Sequence, residues 1–299
     1  MSGNTTFKGI LLVALGASSY GMLATFVKMA YDEGYTTSEV TLSQFALGIL
    51  GMLLINLVQR SRKKNTVIAP TRKNIIQLMA AGTSLGFTSL FYYLAVRYIP
   101  VSIGIVLLMQ TVWMSVVLEM TLTKKLPSVQ KIVSTLIVLA GTVLATNILK
   151  NEVALDWRGI MWGVMAAVSF TMTMFTSNRI ATELSSAQRS LFMLIGGSVV
   201  ITGFAIYSYE GSFNFDILLR WGIILSLFGT IIPPMLLTAG FPKTGIGLGS
   251  IVSSLELPVS VMMAYVLLKE PVNALQWLGI VLILLAIVIM NIRFGKRQA

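Results

Sequence analysis

The feature that most limits what this chain can fold into is a succession of apolar stretches. A helix needs about 20 predominantly apolar residues to cross the bilayer core. Ten stretches approach that length: Gly9–Ala30, Glu39–Val58, Ile75–Ala95, Ser102–Leu122, Ser128–Ile148, Gly159–Ile180, Arg189–Tyr209, Ile217–Ala239, Gly245–Leu268 and Ala274–Ile292. The polar segments between them are too short to build a separate water-soluble domain. With 56% hydrophobic and 11% charged residues, the composition also exceeds what a soluble domain can bury. The expectation is an all-α polytopic membrane protein with ten transmembrane helices.

Charge tests that count. With the N-terminus placed in the cytoplasm and the spans alternated, sixteen of the 22 basic residues fall on cytoplasmic segments and six on outer ones. A missed span would scramble this asymmetry. Both termini are therefore expected in the cytoplasm. The net charge of +11 reads as positive-inside bias rather than as a nucleic-acid footprint. The basic run RSRKKNTVIAPTRK, residues 60–73, reads as holding its loop inside rather than as a lipid-binding patch. The opening MSGNTTFKG is too short and polar to add a cleavable signal, so the first stretch is expected to be a retained helix. A short chain of this kind points to a bacterial plasma membrane.

The absence of cysteine and histidine removes disulfides, thiolate chemistry, Cys/His zinc sites and imidazole triads. No cofactor or metal site is expected. The segment GIGLG from Gly245 follows no strand and opens a span, so it reads as a close-packing helix start and not as a nucleotide loop.

The two halves resemble each other. GILLVALGASSYGMLATFVKMAYDEG from Gly9 aligns with GIMWGVMAAVSFTMTMFTSNRIATEL from Gly159, which sets Ser19-Tyr20 on Ser169-Phe170. Further along, Pro127 falls on Pro271 and Asn147 on Asn291. Five spans per copy is an odd number, so the copies must point in opposite directions. Inverted repeats are characteristic of secondary transporters, with the substrate site near the midplane between the halves. The expected division is residues 1–148 and 149–299.

Together with YYLAVRYIPVSIGIVLLMQT across the third and fourth spans and LELPVSVMMAYVLLKEPVNALQWLGIVLILLAIVIMN at the end, this arrangement resembles the EamA-type transporters of the drug/metabolite transporter superfamily. The resemblance runs from Gly9 to Asn291. Its more specific part is Pro258, Lys269-Glu270 and Gly279. The first half departs from the pattern, with Met114 and Leu126 where the family commonly carries Pro and Glu. The resemblance implies a secondary carrier of small metabolites, often outward, working within the lipid bilayer.

The most unusual residue is Glu256, a carboxylate about halfway along the ninth span. Such a charge costs at least about 2.5 kcal/mol in hydrocarbon. Read as one continuous helix, the span places Gly249, Ser253, Glu256 and Ser260 on one face. Pro258 has no N–H for the carbonyl of Ser254 and pushes it aside, leaving a freed carbonyl near the carboxylate. Glu256 is thus the candidate substrate- or ion-binding residue, with Ser253 beside it. Gln110 and Trp113, one turn apart in the fourth span, are candidates for an amide and an aromatic wall. Tyr20 and Phe170 are repeat-related aromatics, and Ser169, Thr173 and Thr176 share a face of the sixth span. Tyr20 is placed in the candidate site. Pro233-Pro234 must disturb the eighth span, as a hinge or a static bend. Glu119 is expected to reach Lys124 or the interface, and Lys28 has Asp32 one turn on. Lys269-Glu270 sit at a helix end or gate. Asn4-Thr5-Thr6 fits a glycosylation sequon on the wrong side of the membrane.

The leading reading is a transporter of small organic molecules, amino acids and related amines among them. It would export them by alternating access, with proton coupling through Glu256. An intramembrane enzyme would need more catalytic groups than one mid-membrane acid. A passive channel or a structural membrane protein would not need the inverted repeat.

Overall fold

The computed structural model describes residues 3–62, 68–96, 98–99, 101–146, 156–208, 213–269 and 271–291. Lys63, Lys64, Arg97, Asn147, Lys150, Arg293, Lys296 and Arg297, which entered the charge count or the repeat alignment, and Glu270 of the Lys269-Glu270 pair lie outside the described residues. The described chain is helical throughout: α1 (Gly3–Asp32), α2 (Thr37–Arg62), α3 (Arg72–Val96), α4 (Val101–Leu108), α5 (Thr111–Thr123), α6 (Val129–Ala145), α7 (Trp157–Arg179), α8 (Ser186–Tyr207), α9 (Ile223–Ser226), α10 (Ile232–Thr244), α11 (Ile246–Ser253), α12 (Glu256–Leu267) and α13 (Ala274–Asn291). Eight spans among the described residues are long and apolar enough to cross a bilayer, and two shorter apolar helices, Val129–Ala145 and Ala274–Met290, accompany them. The ten expected spans are therefore present, but the fourth, eighth and ninth are not single α-helices.

The inverted repeat is legible in local geometry. The second helix of each half starts with a reciprocal capping box, which satisfies two otherwise orphaned amides. In α2, Thr36 N–H donates to Glu39 Oε2 at 2.7 Å and Glu39 N–H to Thr36 Oγ1 at 3.3 Å. In α8, Ser185 N–H donates to Gln188 Oε1 at 3.1 Å and Gln188 N–H to Ser185 Oγ at 3.2 Å. Cross-helix bonds repeat as well. Ser19 Oγ donates to Phe228 O at 3.3 Å, and its repeat partner Ser169 donates to Ser84 O at 2.8 Å.

Packing relies on small residues, as expected where lipid removes the hydrophobic drive between helices. A Cβ on Gly86 of α3 would stand 2.5 Å from Gly197 O of α8. Gly82 and Gly196 face the backbone carbonyls of Met193 and Met79 across the same crossing. In α6 and α13, Gly141 and Gly279 make the corresponding close approach. Leu15, Leu54, Leu136, Val199, Leu219 and Val288 are exposed, as lipid-facing residues should be.

The eighth span shows what Pro233-Pro234 do. Two π-helical turns, Leu218–Gly222 and Leu227–Ile231, flank α9, and the second ends beside the proline pair. Ile232 N–H donates to Leu227 O, five residues back. In an α-helix it would reach Phe228 O, which instead accepts from Ser19. The prolines thus produce a local change of register that turns one carbonyl toward α1.

Candidate functional site

Two spans break at repeat-related positions, and the site lies at these breaks. The fourth span divides into α4 and α5 at Met109-Gln110, and the ninth into α11 and α12 at Ser254-Leu255. With Pro127 set on Pro271, Gln110 falls on Ser254. At the second break, Ser254 N–H and Leu255 N–H turn back three residues to Ile251 O (3.3 Å) and Val252 O (3.2 Å). At the first, Gln110 N–H reaches Leu107 O at 3.1 Å and Val112 N–H reaches Met109 O at 3.0 Å. The first break has no proline. There the Gln110 side chain enters the ladder, its Nε2 donating to Val106 O at 2.9 Å. That carbonyl is the one the Gln110 backbone N–H would have taken in a regular helix.

These breaks correct two expectations built on a continuous ninth span. The stripe Gly249, Ser253, Glu256 and Ser260 is not carried on one continuous helix, because α11 ends at Ser253 and α12 begins at Glu256. The Ser254 carbonyl is not freed by Pro258, since Leu257 N–H donates to it at 3.2 Å.

Glu256 opens α12. A carboxylate in the first turn of a helix is favoured by the amide dipoles there, which offsets part of its cost in the membrane. Its backbone packs directly on α1, where a Cβ on Gly21 would meet Glu256 O. The residue is largely buried. Among the described residues it has no salt bridge. Tyr20 of α1 and Tyr92 of α3 both lie within electrostatic reach of the carboxylate. The rings of Tyr92 and Tyr93 follow at 6.1 Å between centroids. Beyond the breaks the two half-helices have different main neighbours, α4 packing on α7 and α12 on α1, with Glu256 at the start of α12.

The other expected residues fall in different places. Gln110 and Trp113 serve each other, Trp113 Nε1 donating to Gln110 Oε1 at 2.9 Å. The indole is 40% exposed, on the side of α5 away from buried Val112 and Val116. Ser253 is buried and donates to Gly249 O at 2.9 Å. Tyr20 and Phe170 do meet, lining a narrow void with Pro234 and Phe241. The Thr173 and Ser84 hydroxyls are 2.7 Å apart, and Thr176 bonds back to Thr173 O at 3.1 Å.

Three features went unread in the sequence. Tyr92 of α3 lies within electrostatic reach of Glu256. Buried Arg189 donates from Nε to Ile180 O at 3.0 Å, from Nη1 to Thr238 O at 2.5 Å and from Nη2 to Ser177 O at 2.5 Å. Glu119, expected to reach Lys124 or the interface, instead accepts from Lys131 Nζ at 2.7 Å and from the Gly247 amide at 3.0 Å. It caps α11 because Gly245, with φ +78°, turns the chain sharply between α10 and α11 and aims the first amides of α11 at α5. Lys124 is left in a left-handed turn closing α5.

Comparison with curated proteins finds no match. A solved crystal structure, described only as that of a protein, superposes with a TM-score of 0.79 at 13% identity, covering 97% of this chain and 98% of its own. At that identity the likeness shows the fold alone. The model of the EamA-like transporter family matches twice, over residues 7–147 and 157–292. The two matches cover both five-span halves, and this ten-span membrane protein belongs to the EamA-like transporter family.

Proposed function

We propose that the chain is a secondary carrier that moves small organic molecules across a bacterial plasma membrane by alternating access, with Glu256 as the residue that meets substrate or proton. The boundary between its working halves falls at residues 148–149, both termini are cytoplasmic, and the working direction is export. One observation carries the reading: a carboxylate with no salt bridge among the described residues stands where the ninth span breaks into two half-helices, its backbone packed on α1 next to Tyr20. Ionisable groups inside a membrane are costly, and they mark ion and substrate pathways. Broken helices place such groups where irregular backbone can line a cavity. Tyr20 lies against the same site, while Gln110, Trp113 and Ser253 hold the breaks in shape.

The test uses purified protein in liposomes with a pH-sensitive dye inside and a panel of amino acids, nucleosides and amines outside. A saturable, substrate-dependent proton flux that is lost in Glu256→Gln supports the reading. Substrate uptake by both proteins with no proton signal removes the coupling role. Solute flux that does not saturate would indicate a channel.

A further inference from the structure

We propose that the groove between α3 and α7 holds one acyl chain of an anionic phospholipid, with the headgroup phosphate at Lys73 and Arg179. The groove has a volume of about 750 Å³ and runs from Gln77 and Ile180 at one end to Phe91 and Val164 at the other. From Gln77 to Phe91, α3 rises about 21 Å, enough to cover the depth of one leaflet in a hydrocarbon core about 30 Å thick. At the far end Phe87 stacks on Phe91 and Phe91 on Trp162, with centroids 5.3 and 5.5 Å apart. Phe87, Val168 and Met172 are exposed along the groove, so it opens toward lipid.

The walls suit hydrocarbon and not a polar solute. Thr83 Oγ1 donates to Ala80 O at 2.7 Å, Ser169 Oγ to Ser84 O at 2.8 Å and Thr176 Oγ1 to Thr173 O at 3.1 Å. The Ser84 hydroxyl meets that of Thr173 at 2.7 Å. With these hydroxyls spent on the protein, the rest of the lining is apolar except Gln77, and a polar occupant would lose water without replacement bonds.

The end at Gln77 and Ile180 is basic. Lys73 stands one turn before Gln77 on the same face of α3. Arg179 adjoins Ile180 at the end of α7, its guanidinium 5.7 Å from the centroid of the Phe175 ring. Both basic residues are exposed, one from each wall of the groove, and exposed Arg72 adjoins Lys73. Glu183, an acid at this end, accepts from Asn74 Nδ2 at 3.0 Å. Lys73 closes the basic run of residues 60–73, so part of that run faces a lipid-sized recess. An acyl chain gains little by moving from bulk lipid to apolar walls, because the two are equally apolar. The headgroup therefore decides residence. Each Lys or Arg near the surface favours an anionic lipid by about fivefold. A zwitterionic headgroup carries its own cation toward the same two side chains and forfeits most of that gain. A second copy fits less well, since copies in one membrane share an orientation and a groove-to-groove dimer would bring the basic ends together.

The test is native mass spectrometry of the purified full chain in detergent, titrated with dioleoylphosphatidylglycerol or dioleoylphosphatidylcholine. The two lipids share their chains and differ in headgroup charge. The expected result is one tightly retained lipid, with the anionic one preferred by roughly 5- to 25-fold. Lys73→Gln combined with Arg179→Gln should bring the two lipids to near parity, whereas Arg60→Gln on α2 should leave the preference unchanged. Ala80→Trp keeps both charges but fills the groove, and should lose the retained lipid whatever its headgroup. Glycerol 3-phosphate, the headgroup chemistry without chains, should not bind.

Equal retention of the two lipids by the wild type overturns the proposal. So does an unchanged preference in the double Gln variant, or undiminished retention by an Ala80→Trp protein that melts as the wild type does. A dimer without retained lipid would assign the groove to a second copy, and tight binding of glycerol 3-phosphate would assign the basic end to a free phosphate. Either result would also overturn it. Retention is read without any transported solute, so failure here leaves the carrier reading standing, and absence of transport leaves the lipid site standing.

Discussion

Arg189 offers a sharp test of how the bundle end is held. Its guanidinium is buried and spends three N–H groups on the carbonyls of Ser177, Ile180 and Thr238. Two of these belong to the last turn of α7 and its C-cap, where carbonyls have no intrahelical partner. The third belongs to α10, so one side chain ties three helices. Arg189→Met removes every donor. Each orphaned buried carbonyl costs about 1–3 kcal/mol, so three cost at least about 3 kcal/mol. Removing the charge also relieves its desolvation, which opposes the loss. That relief is limited because a guanidinium is weakly hydrated compared with an ammonium. Arg189→Lys keeps the charge but offers a compact donor in place of the planar fork, and should lose about two of the three bonds. At roughly 2–4 °C per kcal/mol for soluble domains of 150–250 residues, both variants should melt about 5 °C or more below the wild type in detergent. A Met variant as stable as the wild type would show that desolvation cancels the three bonds and that Arg189 fastens nothing.

Glu119→Gln should weaken the start of α11, where the carboxylate holds the Gly247 amide and Lys131. Amide exchange at Gly247 should accelerate by the equivalent of about 1–3 kcal/mol, while exchange in α13 stays unchanged. Gly86→Val should prevent the crossing of α3 and α8, since even a Cβ would stand 2.5 Å from Gly197 O. The protein should fail to elute as a monodisperse species, whereas Gly203→Ala, with nothing within 4 Å of the added Cβ, should be tolerated. Replacing Pro233 and Pro234 together by Ala restores two N–H donors and should remove the π-helical turn at Leu227–Ile231. A structure of that variant should then show Phe228 O bonded within its own helix and released from Ser19.

Much of the fold could be read from periods and charges. Ten apolar stretches and a strong basic asymmetry define the spans, and the Gly9/Gly159 alignment reveals the duplication. The capping boxes at Thr36-Thr37-Ser38-Glu39 and Ser185-Ser186-Ala187-Gln188 went unread, although the Ser/Thr-x-x-Glu/Gln spacing carries its own mechanism. Glu256 was legible because a carboxylate amid apolar residues is costly whatever the fold. The first break was not. Proline is the usual signal, and Met114 stands where Pro258 falls in the other half. The ladder is instead interrupted by a glutamine amide bonding to its own helix, which no spacing rule reveals. Assuming the ninth span to be continuous then carried Ser253 onto the same face as Glu256. Tyr92, Arg189 and the partners of Glu119 depend on contacts between distant helices, and their local sequence is no different from that of ordinary span residues.

The measurement that most directly tests Glu256 as the working residue of a carrier is counterflow. Liposomes containing the protein are loaded with an unlabelled solute that the uptake panel identifies as transported and diluted into a trace of the same compound carrying a label. Wild-type protein should show a transient overshoot of label, Glu256→Asp a reduced one, and Glu256→Gln none. An equal overshoot in Glu256→Gln, or a monotonic approach to equilibrium in the wild type, would contradict the account.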